Sequence, residues 1–259
     1  MLVFAFVMIY PFWNQLVISF NEGSDTVKGG LAFLPRAFTV ENYSYIFTRT
    51  NIAKGAVISV LRAVVGTTLT IMCTGLLGYI TTIQHFVGKR FVRLVFIITM
   101  YFGGGLIPTF LLYSNLGLLD TFTVYWLPAL FSAYFMMLMA SFIQGLPDSL
   151  AESARLDGAN ELTIYFRVIL PLCTPVMAAT AIMTAVGHWN SWFDNHIYTR
   201  GESSLTTLQY LLYNYLNESQ RLAEQIKNTS NLSSIENAMG TISPKGVRMT
   251  ITVLASLPI

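Results

Sequence analysis

The chain has 259 residues, of which 54% are hydrophobic and only 11% are charged. Soluble domains carry roughly 25% charged residues, so this deficit, with a positive mean hydropathy, places the chain in a membrane by composition alone. The net charge of +2 is too small to recruit nucleic acid.

Residues 1–21 form a first apolar segment with no charged side chain, close to the ~20 residues a helical crossing needs. A cleavable signal is the competing reading. The lack of a basic start, the length of the run and Pro11 in mid-segment argue against it. The first residue is already apolar, so the chain is expected to be clipped at its start. Residues 22–51 are polar and loop-like, with Gly23, Gly29, Gly30 and Pro35, and Phe38 to Phe47 reads as a short amphipathic piece on the surface. Residues 52–84 make a second span. Its core, 63–83, is free of charge, and Arg62 sits near the outer end, where a snorkelling anchor is a better reading than a substrate contact.

Residues 85–93 hold Lys89, Arg90 and Arg93, the densest basic cluster in the chain, and the positive-inside rule puts this short loop in the cytoplasm. The third span, 94–114, carries Gly103, Gly104, Gly105 and Pro108. Such a run serves either close helix packing through small residues or a kink beside a pathway. The fourth, 121–146, is aromatic at its outer end (Phe122, Tyr125, Trp126), as an interfacial belt should be, and Met136, Met137 and Met139 fill a core further in. A polar elbow at 147–171 precedes the fifth span, 172–193. Residues 194–247 form a polar outer loop with short helices expected near 205–216 and 218–227. The sequons at Asn217, Asn228 and Asn231 are read as chance. The last apolar segment, 249–259, is too short for a full crossing, so the sixth span is expected to be truncated. Parity puts the elbow on the cytoplasmic side with loop 85–93, and loops 22–51 and 194–247 outside.

The elbow holds four carboxylates (Asp148, Glu152, Asp157, Glu161) and two arginines (Arg155, Arg167), yet its spacing is that of a folded segment. Ser149 and Glu152 have capping-box spacing, which predicts a short helix to about Asp157. Gly158 ends it in the left-handed conformation, Asn160 caps a second helix, and Pro171 limits that helix's continuation into the next span.

Glu152-Ser153-Ala154, then Gly158, then Val168-Ile169-Leu170-Pro171 resembles the EAA loop of ABC importer permeases. That family pattern is Glu-Ala-Ala, three residues, Gly, nine residues, Ile-x-Leu-Pro, and this chain departs from it only by Ser153 and Val168. Tyr10-Pro11-Phe12, Phe38 to Tyr43, Trp189-Asn190 and Tyr101 to Pro108 extend the resemblance along the chain, toward the carbohydrate-uptake branch. The resemblance implies an all-α integral membrane fold over residues 1–259, a six-span helical bundle of the type I importer kind. It implies a multi-pass protein of the bacterial plasma membrane whose elbow is a cytoplasmic coupling helix. Carried over by position, Glu152, Ala154, Asp157, Gly158 and Ala159 are the ATPase-coupling set. The implied partners are a second, homologous permease subunit, an ABC ATPase dimer and an extracellular or periplasmic sugar-binding protein. ATP and Mg would be held by the ATPase, with no cofactor, metal or catalytic residue in this chain.

The residues agree with that division of labour. No phosphate-binding loop, His-Glu-x-x-His, Gly-x-Ser-x-Gly or Cys-x-x-Cys occurs. Cys73 and Cys173 read as small buried hydrophobes, and His85, His188 and His196 as isolated structural or solvated side chains. A sugar asks for aromatic faces beside amides or hydroxyls. Trp189, Asn190, Trp192 and Phe193 supply both, and they either line the substrate pathway or form an interfacial belt. Asp194 and His196 are expected to face the outside, near a binding protein. Two other readings share parts of this pattern: a permease for peptides or amino acids, and a membrane-embedded transferase using the elbow carboxylates.

Overall fold

The computed structural model describes residues 1–30, 33–49, 51–199, 204–228 and 244–256. Among these residues the chain is helical, and its β contact is one isolated bridge between Asn21 and Phe38. The helices in order are α1 (Leu2–Ser19), α2 (Gly23–Val27), α3 (Glu41–Arg49), α4 (Ile52–Ile80), α5 (Lys89–Tyr101), α6 (Leu106–Asn115) and α7 (Ala133–Gln144). They continue with α8 (Asp148–Leu156), α9 (Glu161–Leu172), α10 (Thr174–Asn190), α11 (Phe193–Tyr198), α12 (Leu208–Asn228) and α13 (Pro244–Ser256). They divide into two compact units, Met1–Ser59 with Gly201–Ile259, and Val60–Arg200.

In the first unit, Val247, Ile251 and Ala255 of α13 recur at helical spacing and are all buried. The polar stretch after α1 is pinned by two buried amides. The side-chain carbonyl of Asn21 accepts the backbone N–H groups of Arg36 (2.9 Å) and Ala37 (3.0 Å). Asn42 donates to the carbonyls of Ser19 and Asn21, each at 3.0 Å. These bonds offset the cost of burying the two amides. Gly246 lets Asn42 approach, since a Cβ there would stand 2.9 Å from its Oδ1. Two expectations are corrected. The last helix starts at Pro244, earlier than the apolar run at 249. The two short helices expected in the outer loop are one continuous α12, because Leu208, Leu211, Leu212 and Tyr215 keep one apolar stripe and nothing at Asn217 breaks it. The Asn231 sequon and the chain end beyond Ser256 lie outside the described residues.

In the second unit, two of the expected spans are broken. Within 94–114, α5 and α6 are separated by Phe102–Gly105, with Gly105 at φ 80°. A Cβ on Gly103 would meet nothing within 4 Å, and one on Gly104 only Thr109 Oγ1 at 4.0 Å. These glycines therefore turn the chain and do not bring another helix close within the chain. Within 121–146, two 3-10 turns (Phe122–Tyr125, Leu127–Ala129) replace the first half of the span and meet α7 at 45°. The freed carbonyls are answered by α4: Thr70 donates to Ala129 O at 2.9 Å and Thr74 to Leu130 O at 3.2 Å. Broken backbone at membrane depth survives where such partners cover it.

The glycines of α4 do serve close packing. A Cβ at Gly78 would lie 3.0 Å from Met139 Cβ and 3.2 Å from Met136 O, so α7 sits directly on that face. Among the described residues α4 is the one helix long and apolar enough to cross a membrane alone. Counting each of the bent pairs Phe122–Ala129 with Ala133–Gln144 and Glu161–Leu172 with Thr174–Asn190 as one span gives three at most.

Candidate functional site

The elbow is built from α8 and α9. At the start of α8, Pro147 holds the cap position with extended backbone, and no side chain caps the helix. The capping box expected of Ser149 and Glu152 is not formed. The helix begins at Asp148, so Ser149 already has helical backbone and lies inside the first turn. Asp148 faces the helix N-terminus electrostatically instead. At the other end the local reading holds. Gly158 has φ 81°, its N–H donates to Arg155 O at 3.0 Å, and Ala159 N–H donates to Ala154 O at 3.0 Å. That pair of bonds is a Schellman closure, which satisfies two carbonyls the helix would leave orphaned.

The closure sorts the five coupling candidates. Ala154 and Ala159 turn inward with Ala151 and pack against a buried cluster that includes Tyr79, Ile143, Ile164 and Tyr165. Small side chains are what let the elbow lie this close. Glu152, Asp157 and Gly158 stay exposed. Glu152 borders a groove of about 250 Å³ shared with Gln84, Asp148 and Arg155.

Asn160 caps α9, its Oδ1 accepting Thr163 N–H at 2.8 Å. The next residue, Glu161, ties three elements together. It accepts two hydrogen bonds from Arg155 of α8 (2.8 and 3.3 Å) and one from the Tyr79 hydroxyl of α4 (2.5 Å). The Arg155 guanidinium holds the Glu161 carboxyl below the usual carboxylate range, and Glu161 in turn raises Arg155. The sequence names both residues but assigns them no pairing; the signal is an opposite-charge pair flanking the Gly158 turn, which folds one onto the other. Beyond it α9 loosens into a π-helical turn, Tyr165–Ile169, ahead of Pro171, and meets α10 at 81°. Burial pushes the Tyr165 phenol up to about 12, and its hydroxyl has no hydrogen-bond partner among the described residues.

A cavity of about 590 Å³ lies elsewhere in the second unit. Arg62 and Thr70 of α4, Tyr125 and Ser132, and His188 and Asp194 all border it. Arg62 is 2% exposed. It forms an ion pair with Asp194, donates to Ser191 O at 3.0 Å, and places its guanidinium 4.7 Å from the Tyr125 ring centre. The expected snorkel is thus corrected: the side chain turns inward, because a cation this buried needs a paired anion. Asp194, expected outside, lines the cavity, and Ser191 Oγ donates to the same Oδ2 at 2.9 Å.

Trp189, Asn190, Trp192 and Phe193 do not border this cavity. Trp189 is buried, Trp192 half-buried, and Asn190 and Phe193 exposed. The chain breaks at Ser191 between α10 and α11, and Gly187, His188, Ser191 and Asp194 take the cavity side. His188 is buried against Gly66, where a Cβ would stand 2.5 Å from Nε2. Cys173 is fully buried in the elbow cluster and, like Cys73, is a free thiol. Among the described residues no group of His, Cys, Asp and Glu has metal-binding geometry.

Broken apolar helices around a polar cavity, with a closed helix–glycine–helix elbow between two of them, are the parts of a membrane permease. Residues 74–193 match the model of the family described as binding-protein-dependent transport system inner membrane component. The chain is 30% identical to the polygalacturonan/rhamnogalacturonan transport system permease protein YtcP of Bacillus subtilis, over 100% of this chain and 88% of that one. It is 31% identical to protein LplC of the same organism, over 98% and 83%. Its fold matches a crystal structure of a bacterial ABC transporter involved in the import of the acidic polysaccharide alginate. The TM-score is 0.84 at 24% identity, covering 99% of this chain and 88% of that one. The chain belongs to the family of binding-protein-dependent transport system inner membrane components, and within it stands with the permeases of carbohydrate ABC importers. Membership brings a membrane, an ATPase and a substrate-binding protein as partners.

Proposed function

We propose that the chain forms one half of the translocation pathway of an ATP-driven importer for an oligosaccharide, and that its elbow receives the stroke of a separate ATPase. The observation that carries this is the closed elbow itself, tied to α4 through Arg155, Glu161 and Tyr79. A docked ATPase would push on the exposed Glu152, Asp157 and Gly158, while Ala154 and Ala159 fit the elbow to the buried cluster that passes the push on. ATP and Mg belong to the ATPase. The other half of the pathway is a second, homologous permease, giving a heterodimer with six spans in each subunit and the elbow in the cytoplasm. Trp189, Asn190, Trp192 and Phe193 belong to the substrate path as an aromatic and amide wall separate from the cavity.

The substrate class rests on the relatives: besides YtcP, the arabinooligosaccharides transport system permease protein AraQ of Halalkalibacterium halodurans is 30% identical over 73% of this chain and 69% of its own. Peptide transport is the less favoured reading, because YtcP and AraQ are both named for saccharide transport. The test is reconstitution of the chain with its partner permease, ATPase and binding protein in proteoliposomes. ATP-dependent uptake of labelled arabinotriose or trigalacturonate supports the proposal. Uptake of oligopeptides and of neither saccharide would overturn it.

A further inference from the structure

We infer that the cavity in the second unit is a saccharide-binding site within this subunit, with the Asp194 carboxylate as its hydroxyl acceptor and Arg62 as the residue that positions it. The inference rests on the carbohydrate reading above and names the contact that reading leaves open. At about 590 Å³ the cavity falls in the range of small-molecule sites. Its lining joins aromatic rings, among them Tyr113 and Phe135, to the hydroxyls of Thr70 and Ser132, the combination a sugar's C–H faces and hydroxyls require.

Asp194 is the centre of the argument. Arg62 and Ser191 both donate to its Oδ2. Its Oδ1 receives no hydrogen bond from any described residue, and its side chain is 32% exposed on the cavity wall. An oriented carboxylate oxygen with free lone pairs is the strong acceptor a sugar hydroxyl seeks. Arg62 cannot play that part. It is buried, faces Tyr125, and spends its terminal nitrogens on Ser191 and Asp194, leaving only a buried Nε without a partner. Its charge cancels that of Asp194, so the lining offers no free guanidinium for a ligand carboxylate. The site therefore reads hydroxyls, whatever charge the saccharide carries elsewhere.

Gly187 supplies a clean probe. It borders the cavity, and a Cβ there would meet no atom within 4 Å. A large side chain at this position enters open space at the edge of the site and clashes with nothing near its Cβ. The experiment uses the full complex in proteoliposomes, with arabinotriose or trigalacturonate as the probe, whichever the parent takes up. Gly187→Phe should abolish saturable uptake, and Asp194→Asn should raise KM by about tenfold, the loss of one charge-assisted hydrogen bond. Arg62→Lys should also raise KM while retaining more uptake than Arg62→Ala, as a positioning role requires. Parent-like KM in Gly187→Phe or in Asp194→Asn overturns the inference. If the parent complex takes up oligopeptides and neither saccharide, the carbohydrate reading has failed instead.

Discussion

Replacing Glu161 tests whether the elbow is rigidly tied to the span beside it. Glu161→Ala removes three hydrogen bonds at once, two from Arg155 and one from Tyr79. The carboxylate side chain is 43% exposed and Arg155 35%, so solvent weakens the ionic part. The discounted loss is about 1–2 kcal/mol, roughly a tenfold fall in the equilibrium constant for holding the elbow against α4. Membrane insertion should be unaffected, because no apolar segment changes. The expected result is a lower ratio of saccharide moved to ATP hydrolysed, measured in the same proteoliposomes, with the ATPase still bound. Glu161→Gln should fall between, since an amide can still accept from Tyr79. The pH dependence follows from the sign of the shift. The folded carboxyl lies below its ordinary value, so its contribution is complete above the ordinary glutamate pKa and is lost as pH falls through the lower, folded value. The parent ratio should accordingly stay flat from about pH 5 to pH 8, the range above the ordinary glutamate pKa of ~4.3. Parent coupling in Glu161→Ala would show that the tie transmits nothing.

Two further outcomes follow from the same geometry. In a background with Cys73 and Cys173 replaced by Ala, Ser153→Cys should react with an impermeant maleimide only from the cytoplasmic side and Ser24→Cys only from outside; labelling of both from one side would sink the topology. Gly78→Leu should lower the melting temperature of the complex in detergent, because the new side chain drives into Met139 and the α7 backbone, at about 1–3 kcal/mol for overpacking, and an unchanged melting curve would contradict the close α4–α7 contact.

The features readable from the sequence were the local ones. Gly158 and Asn160 announced their roles because a left-handed turn and an N-cap are decided within a few residues. The family pattern spans the same stretch. The start of α8 differs from the expected one by two residues: Pro147 accepts the cap position without a side-chain bond, which spacing alone does not reveal. Arg62 and Asp194 are 132 positions apart, so their pairing needed the fold. The breaks within 94–114 and 121–146 were hidden for a related reason. Hydropathy measures whether a segment tolerates lipid, and it is silent on hydroxyls from α4 that support a broken helix. The face of α10 turned toward the cavity was also lost, since the break at Ser191 interrupts helical periodicity just where the aromatic cluster begins.

The most direct test of the coupling claim is Gly158→Val, assayed for saccharide transport and ATP hydrolysis in the same vesicles. Gly158 sits at φ 81° with open space around its Cβ position, so the substitution acts through the backbone alone. A β-branched residue there costs roughly 1–2 kcal/mol and unwinds the closure between Ala154 and Ala159. The account predicts a correctly inserted chain whose transport falls strongly, either because the ATPase is released or because it hydrolyses ATP without moving saccharide. Transport equal to the parent in Gly158→Val would contradict it.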